Sequence, residues 1–164
     1  MAVEPAAFKH AFGHHPAGVA VISAAGPDGP AGLTVSSVAS VSVNPPALLF
    51  SLSTSRGSAS KILAADSFVV NLLGADQLPI AQSFAKPGAP RFTTEQGWST
   101  LPTGEPVLSG VHAALRCTPF EKVAIGDSTC IVARVEDVVV DAAGDPLVYM
   151  DRGFYTLDAE HVIG

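Results

Sequence analysis

Charge is scarce in this chain: 15% of its 164 residues are Asp, Glu, Lys or Arg, and the 9 cationic ones form no stripe. A nucleic-acid partner would need clustered Lys and Arg to meet phosphates. With a net charge of −6, that class of partner is excluded. Cysteine is nearly absent as well. Cys117 and Cys130 match no metal or redox spacing, so they read as buried, reduced thiols on neighbouring strands with no assigned function. No apolar run is long enough to cross a bilayer, and Glu4 and His10 fall early with no apolar core of a leader behind them. A soluble cytoplasmic protein with no membrane partner is the expectation. Also missing are Gly-x-Gly-x-x-Gly and Walker sequences, so no dinucleotide is held in the Rossmann manner. No nucleophile elbow or Ser-His-Asp context occurs, and no catalytic residue is assigned. His14 and His15 would diverge in a turn without a third ligand. His10, His112 and His161 stand alone, and no metal site is expected.

What the chain does have is apolar residues, 48% of the total, with 15 Gly and 13 Pro. One domain over 1–164 is large enough to build a core without disulfides. The apolar excess over so little charge predicts a subunit interface, hence a homodimer. Glu4 to Phe12 reads as a short helix with Phe8, Ala11 and Phe12 on one face. Strands follow at 18–25, 31–37, 41–43 and 47–52, with a turn over 26–30. The spacing predicts a helix over 58–65, capped by Ser58 with Ile62 and Leu63 inward, a strand over 68–73 and a second helix over 75–84. Residues 85–110, with the single Trp98, read as a long loop. Strands over 111–118, 130–140 and 146–150 close the chain. Many strands, few short helices and no β-α-β rhythm predict a mainly β fold, an antiparallel β-barrel with short flanking helices.

The densest information lies between Gly32 and Ser58. Two β-rich runs flank Pro45 and Pro46, with Thr34, Ser36, Ser37, Ser40 and Ser42 before them and Ser51, Ser53, Ser55 and Ser58 after. Small hydroxyls let a planar ligand approach the backbone and can both donate and accept hydrogen bonds. Arg56 is a cation suited to a phosphate. An edge hairpin with Ser and Thr on its outer face would look the same. On composition alone that plainer reading is the stronger.

The order of residues tells more. Gly32-Leu33-Thr34-Val35-Ser36-Ser37-Val38, then Ser40-Val41-Ser42 and Pro45-Pro46, resembles the central signature of the short-chain flavin reductases. The resemblance extends over nearly the whole chain: Phe8 to Val21, Phe68-Val69-Val70-Asn71-Leu72-Leu73, Phe84 with Arg91-Phe92, Pro106 to Gly110, Gly126-Asp127-Ser128-Thr129, and Pro146 to Tyr155.

That resemblance implies an FMN-binding split β-barrel, usually dimeric with flavin near the subunit interface. The implied activity is reduction of FMN or FAD by NADH or NADPH, with the flavin supplied to a partner monooxygenase. Flavin would lie along Thr34, Val35, Ser36, Ser37 and Ser40. Its phosphate would meet Ser51, Leu52, Ser53, Arg56, Gly57 and Ser58, aided by a helix N-terminus. Phe84, Arg91 and Phe92 would cover it, although core packing explains Phe84 as well. Two departures stand out: Ser128 and Met150 replace histidines that the family associates with the nicotinamide face. Asp151 and Arg152 remain beside that face, and Arg152 is suited to a pyrophosphate. Hydride transfer to a flavin needs stacking and orientation rather than a general base. The missing histidines also leave open an electron-transfer flavoprotein, or a non-catalytic split barrel holding flavin or another planar cofactor such as heme. The intact Ser clusters favour flavin over heme.

Overall fold

Where unbroken apolar residues occupy 19–22 and 68–70, strands bury both faces. The computed structural model describes residues 1–164, the side chain of Asp141 apart. In chain order its first elements are α1 (Pro5–Gly13), β1 (Ala17–Gly18), β2 (Ala20–Ala24), β3 (Ala31–Val35), β4 (Ala39–Val43) and β5 (Pro46–Leu52). Next come α2 (Ser58–Ala64), β6 (Phe68–Leu72), α3 (Leu78–Ala85), β7 (Trp98–Thr100) and β8 (Pro106–Leu108). The chain ends with β9 (Ala113–Ile125), β10 (Ser128–Asp141), β11 (Leu147–Met150) and β12 (Gly153–Thr156). A seven-stranded antiparallel sheet has the order β3-β2-β6-β9-β10-β5-β4, and a smaller one the order β1-β11-β12.

Side chains alternate across a strand, and here each face meets its own core. Ala20, Ile22, Phe68 and Val70 join Phe50, Leu52, Ile62 and Ile131 in one cluster. Val21 and Val69 point the other way, into a second cluster with Ala81, Phe84, Leu108 and Val111. Within the first, Phe50 and Phe68 meet edge to face at 5.3 Å. The seven-stranded sheet curls until β3 approaches β5 without a backbone ladder between them. Instead, the Ser37 hydroxyl donates to the Ser51 carbonyl (3.2 Å) and accepts from the Ser51 amide (2.9 Å). The split in the barrel therefore lies where the two serine clusters face each other.

Several sequence expectations change. The 85–110 segment is not a bare loop: β7 and β8 form a hairpin (Trp98 opposite Leu108) that covers the second core. Buried Asn71 holds it by accepting from the Leu108 amide (3.0 Å) and donating to the Val21 carbonyl and Ser23 Oγ; Ser23 in turn donates to the Pro106 carbonyl. Helix 75–84 divides into a 3-10 turn (Ala75–Gln77) and α3, with Pro79 in the first turn of α3. Strands β9 and β10 run well beyond the lengths expected, past Pro119, because register shifts break their ladder between Val132 and Ala133. Ser58 is not a cap; Gly57 takes the N-cap position, and Ser58 accepts from Arg91. The shared face of Phe8 and Phe12 exists, but α1 buries no residue and both rings are exposed. Cys117 is buried as expected, whereas Cys130 is only half-buried. Burial, helped by the Glu136 carboxylate and opposed by Arg116, pushes the Cys117 thiol up to about 12, so it stays a protonated, inert side chain.

One buried ion pair anchors the hairpin. Glu105 is 1% exposed and pairs with Arg116 at 2.8 Å, while Ser67 (2.5 Å) and Thr103 donate to it. Burial alone would raise its pKa. The hydrogen bonds from Ser67, Thr103 and its own backbone, together with Arg116, outweigh that and hold it below the ordinary 4.5. A carboxyl with a depressed native pKa stabilises the fold above its unfolded value, and that contribution disappears as pH falls through the native one. Glu105→Gln is therefore expected to lower stability at neutral pH and to flatten the acid limb below pH 4.5. Urea midpoints measured across that range check this; an acid limb identical to wild type would contradict it.

Candidate functional site

The seam of the barrel opens into two recesses that share Thr34, Val35 and Ser36 as a common wall. The narrow one, of 260 Å³, lies between Leu33–Ser37 and Ser51–Thr54, with Ala59 of α2 as its floor. The wide one, of 660 Å³, is bounded by Val19, Gln82, Ala85, Lys86, Tyr149, Arg152 and Phe154. Together they make one groove along β3, within the size range of small-ligand sites. Its narrow end is lined with hydroxyls. Its wide end has the apolar surfaces of Val19, Val35, Tyr149 and Phe154, with two cations, Lys86 and Arg152, at the rim.

The hydroxyls are not equally free. Thr34 Oγ1 donates to the Ala81 carbonyl at 2.7 Å, tying β3 to α3 and leaving only its lone pairs for a ligand. Ser37 is occupied by Ser51. Ser36, Ser51 and Ser53 are exposed on the groove with their hydroxyls available, since Ser51 meets Ser37 through its backbone.

The structure brings Thr34, Val35, Ser36, Ser37, Ser51, Leu52 and Ser53 together as the sequence leads one to expect. Other expected residues lie elsewhere. Ser40 sits on the edge strand β4 opposite Leu48, outside both recesses. Arg56 and Gly57 are exposed on the loop beyond Thr54, within the segment leading to α2, and Gly57 has φ 58°. With seven residues, α2 is too short to develop much of the dipole expected of it.

Arg91 is not a free cation over the groove. It donates to the carbonyls of Gly32 (3.0 Å), Ser83 (3.3 Å) and Lys86 (3.2 Å) and to Ser58 Oγ (3.0 Å), with its guanidinium 5.5 Å from the Phe84 ring centre. It stitches α2, β3 and the end of α3 into one unit. Phe84, 1% exposed, is a core residue: its ring meets Phe92 at 5.0 Å and Trp98 at 5.3 Å, and Phe92 meets Trp98 at 4.7 Å. This aromatic cluster packs against Gly32 of β3, on the strand face that also carries Thr34, and Phe92 has φ 56°.

Gln82, Lys86, Tyr149 and Phe154 were not anticipated as groove residues. Lys86 follows α3, and Tyr149 is brought in by pairing with Ala17 on β1, so their separation in sequence hid them. Met150 follows Tyr149 on β11, opposite Gly153, and lines neither recess. Ser128 lies one residue beyond the Thr129–Leu52 pair, level with Ser53 at the narrow end. The two positions that depart from the family pattern therefore stand on different strands, one beside Tyr149 and one level with Ser53, and neither lines the groove.

A family model described as the flavin reductase like domain matches residues 12–158. The chain belongs to this family. It is 36% identical over 152 residues to an NADH:FMN oxidoreductase of Rhodococcus erythropolis, covering 90% of this chain and 79% of that one. Among solved structures, the NADH:FAD oxidoreductase of Streptomyces globisporus, in complex with NAD and FAD fragments, superposes with a TM-score of 0.88 at 26% identity, covering 99% of each chain. The styrene monooxygenase flavin reductase of Pseudomonas putida gives 0.82 at 27% identity, over 92% of this chain and 97% of that one. The mainly β, split-barrel architecture is thus that of the flavin reductases.

Proposed function

We propose that the groove along β3 holds FMN or FAD, with the ring against Thr34–Ser36 and the phosphate at the hydroxyl-lined end near Ser53. The chain is an NAD(P)H:flavin oxidoreductase of the flavin reductase-like family. A bound flavin supplies the hydride acceptor and the nicotinamide nucleotide the hydride. The protein's residues bind and orient. Tyr149 and Phe154 offer apolar surface at the wide end, and Lys86 and Arg152 offer cations for the nucleotide's phosphates. The carrying observation is the continuity of the groove: hydroxyls at one end, an apolar recess with two cations at the other, and β3 as a common wall. No side chain has to move a proton for hydride transfer, in keeping with a groove in which no acid-base pair is assembled.

Incubating the protein with FMN or FAD and following NADH or NADPH absorbance under air tests this reading. Nucleotide consumption that depends on both protein and flavin is expected. If neither nucleotide is consumed and a bound flavin stays oxidised without air, the protein is an electron-transfer flavoprotein instead. Supply of the reduced flavin to a monooxygenase follows from the reductase role, and a cytoplasmic setting would provide the nucleotide.

Met150 neighbours Tyr149 and Arg152 of the wide recess, and Met150→His is expected to lower the nucleotide KM several-fold with little change in kcat, because it adds a contact made equally in ground and transition states. Ser128→His, at the narrow end of the same chain, is expected to leave that KM nearly unchanged. Steady-state kinetics on both variants separate the two positions.

A homodimer accounts for surface that one chain leaves bare. Phe120 and Ile125 are 68% and 73% exposed on the half of β9 that lies beyond its pairing with β6, an open edge strand. Phe8, Phe12 and Val43 add further exposed apolar area. Phe120→Asp combined with Ile125→Asp is expected to convert a dimeric mass to a monomeric one by light scattering. A wild-type monomer at micromolar concentration would rule the dimer out.

A further inference from the structure

Helix α1 poses a question that packing does not answer, since none of its residues is buried. What ties its C-terminal end to the barrel is the turn between β11 and β12. The Asp151 amide donates to the Gly13 carbonyl at 2.8 Å, and His14 Nδ1 lies 2.9 Å from Asp151 Oδ1. The edge of the His10 ring packs on His14 at 5.0 Å.

The turn it grips is an unusual one. Asp151 and Arg152 have φ values of 48° and 63°, so two successive non-glycine residues occupy the left-handed region. Asp suits the first of these positions and Gly the second, so Arg152 is the residue out of type, and an L-residue with so large a side chain stays there only where surrounding contacts over-determine it. Arg152 projects from this turn to the rim of the wide recess, with Tyr149 and Phe154 of the same hairpin.

We propose that the end of α1, through Gly13 and His14, is the positioning element that fixes Asp151 and thereby aims Arg152 at the phosphate groups of the nicotinamide nucleotide. This rests on the reductase reading given above for the groove. His14 touches neither flavin nor nucleotide; it acts through Asp151. The geometry requires a donor at the place of Nδ1. Asparagine presents its amide nitrogen near that point, while glutamine presents it one bond further out.

Three His14 variants test the proposal in the full chain: His14→Ala, His14→Asn and His14→Gln. His14→Ala is expected to raise the nucleotide KM about five-fold with kcat within about two-fold, the pattern of a lost binding contact. His14→Asn should restore KM, and His14→Gln should not. In an Arg152→Ala background, where there is no guanidinium left to aim, His14→Ala should add nothing further. Amide hydrogen exchange over residues 150–153 provides a readout independent of turnover: faster exchange confined to that turn in His14→Ala, reversed in His14→Asn. A wild type without nucleotide turnover would defeat the reductase reading, while the exchange experiment would still decide whether His14 holds the turn. Unchanged exchange, or an equal KM increase with and without Arg152, overturns the proposal.

Discussion

Ser53→Asp is expected to weaken FMN binding about 30-fold or more while leaving riboflavin binding close to wild type. Ser53 is exposed on the narrow end of the groove, across from Ser36 and Ser37. A carboxylate there would face the flavin phosphate at close range. Two unit charges 4 Å apart near a protein surface interact by about 4 kcal/mol, and solvent and salt reduce that by roughly half. A loss of about 2 kcal/mol corresponds to the 30-fold change. Riboflavin has the same ring and ribityl chain but no phosphate, so it isolates the charge effect from any steric one. Titrations that follow flavin fluorescence read both constants. Equal losses for FMN and riboflavin would mean that the phosphate lies elsewhere and that the groove is occupied in the opposite direction. Ser53→Asn, similar in size to aspartate and uncharged, is expected to behave nearly as wild type with both ligands.

The wall that such a ligand would touch was legible in the sequence because its residues are contiguous. Thr34 to Ser37 and Ser51 to Ser53 announce small hydroxyls on paired strands, and the structure sets them face to face. The opposite wall was not legible. Gln82, Lys86, Tyr149 and Phe154 come from a helix, the loop after it and a late hairpin, and only the pairing of β1 with β11 and β11 with β12 carries the hairpin residues to β3. Strand β12 escaped notice because the second positive-φ position of its turn is held by Arg152, where a sequence reader looks for glycine. The bonding of Arg91 was hidden for a different reason. The family resemblance implies that it covers the flavin, and three of its four partners here are backbone carbonyls, which side-chain identities do not reveal. The helix at 5–13 was legible as a helix. Its apolar face was not legible as an uncovered one, since a face meant for a partner has the same periodicity as a face meant for the core.

The largest effect on the fold is expected from a residue with no side chain at all. Gly32→Val should lower stability by about 3 kcal/mol, at the upper end for overpacking of a tight core. In a chain of this length that is a fall in melting temperature of about 6–12 °C. A Cβ at position 32 would sit 2.8 Å from the Phe84 ring, 2.9 Å from the Phe92 ring and 3.1 Å from the Ile22 carbonyl. None of these can retreat easily. Phe84 is wedged between Phe92 and Trp98, Phe92 is held at φ 56°, and the Ile22 carbonyl belongs to the β2–β3 ladder. The strain would fall on β3, where Arg91 grips the Gly32 carbonyl and Thr34 bonds to Ala81, so the groove wall should move with it and flavin binding should weaken in parallel. Phe84→Leu offers a second-site check. Alone it removes packing and costs stability, but beside Gly32→Val it makes room, so the double variant should be more stable than the sum of the two losses by 1 kcal/mol or more, roughly the coupling of residues in direct contact. Additive losses would show that β3 yields without pressing on the aromatic cluster, and that this cluster does not set the position of the groove wall.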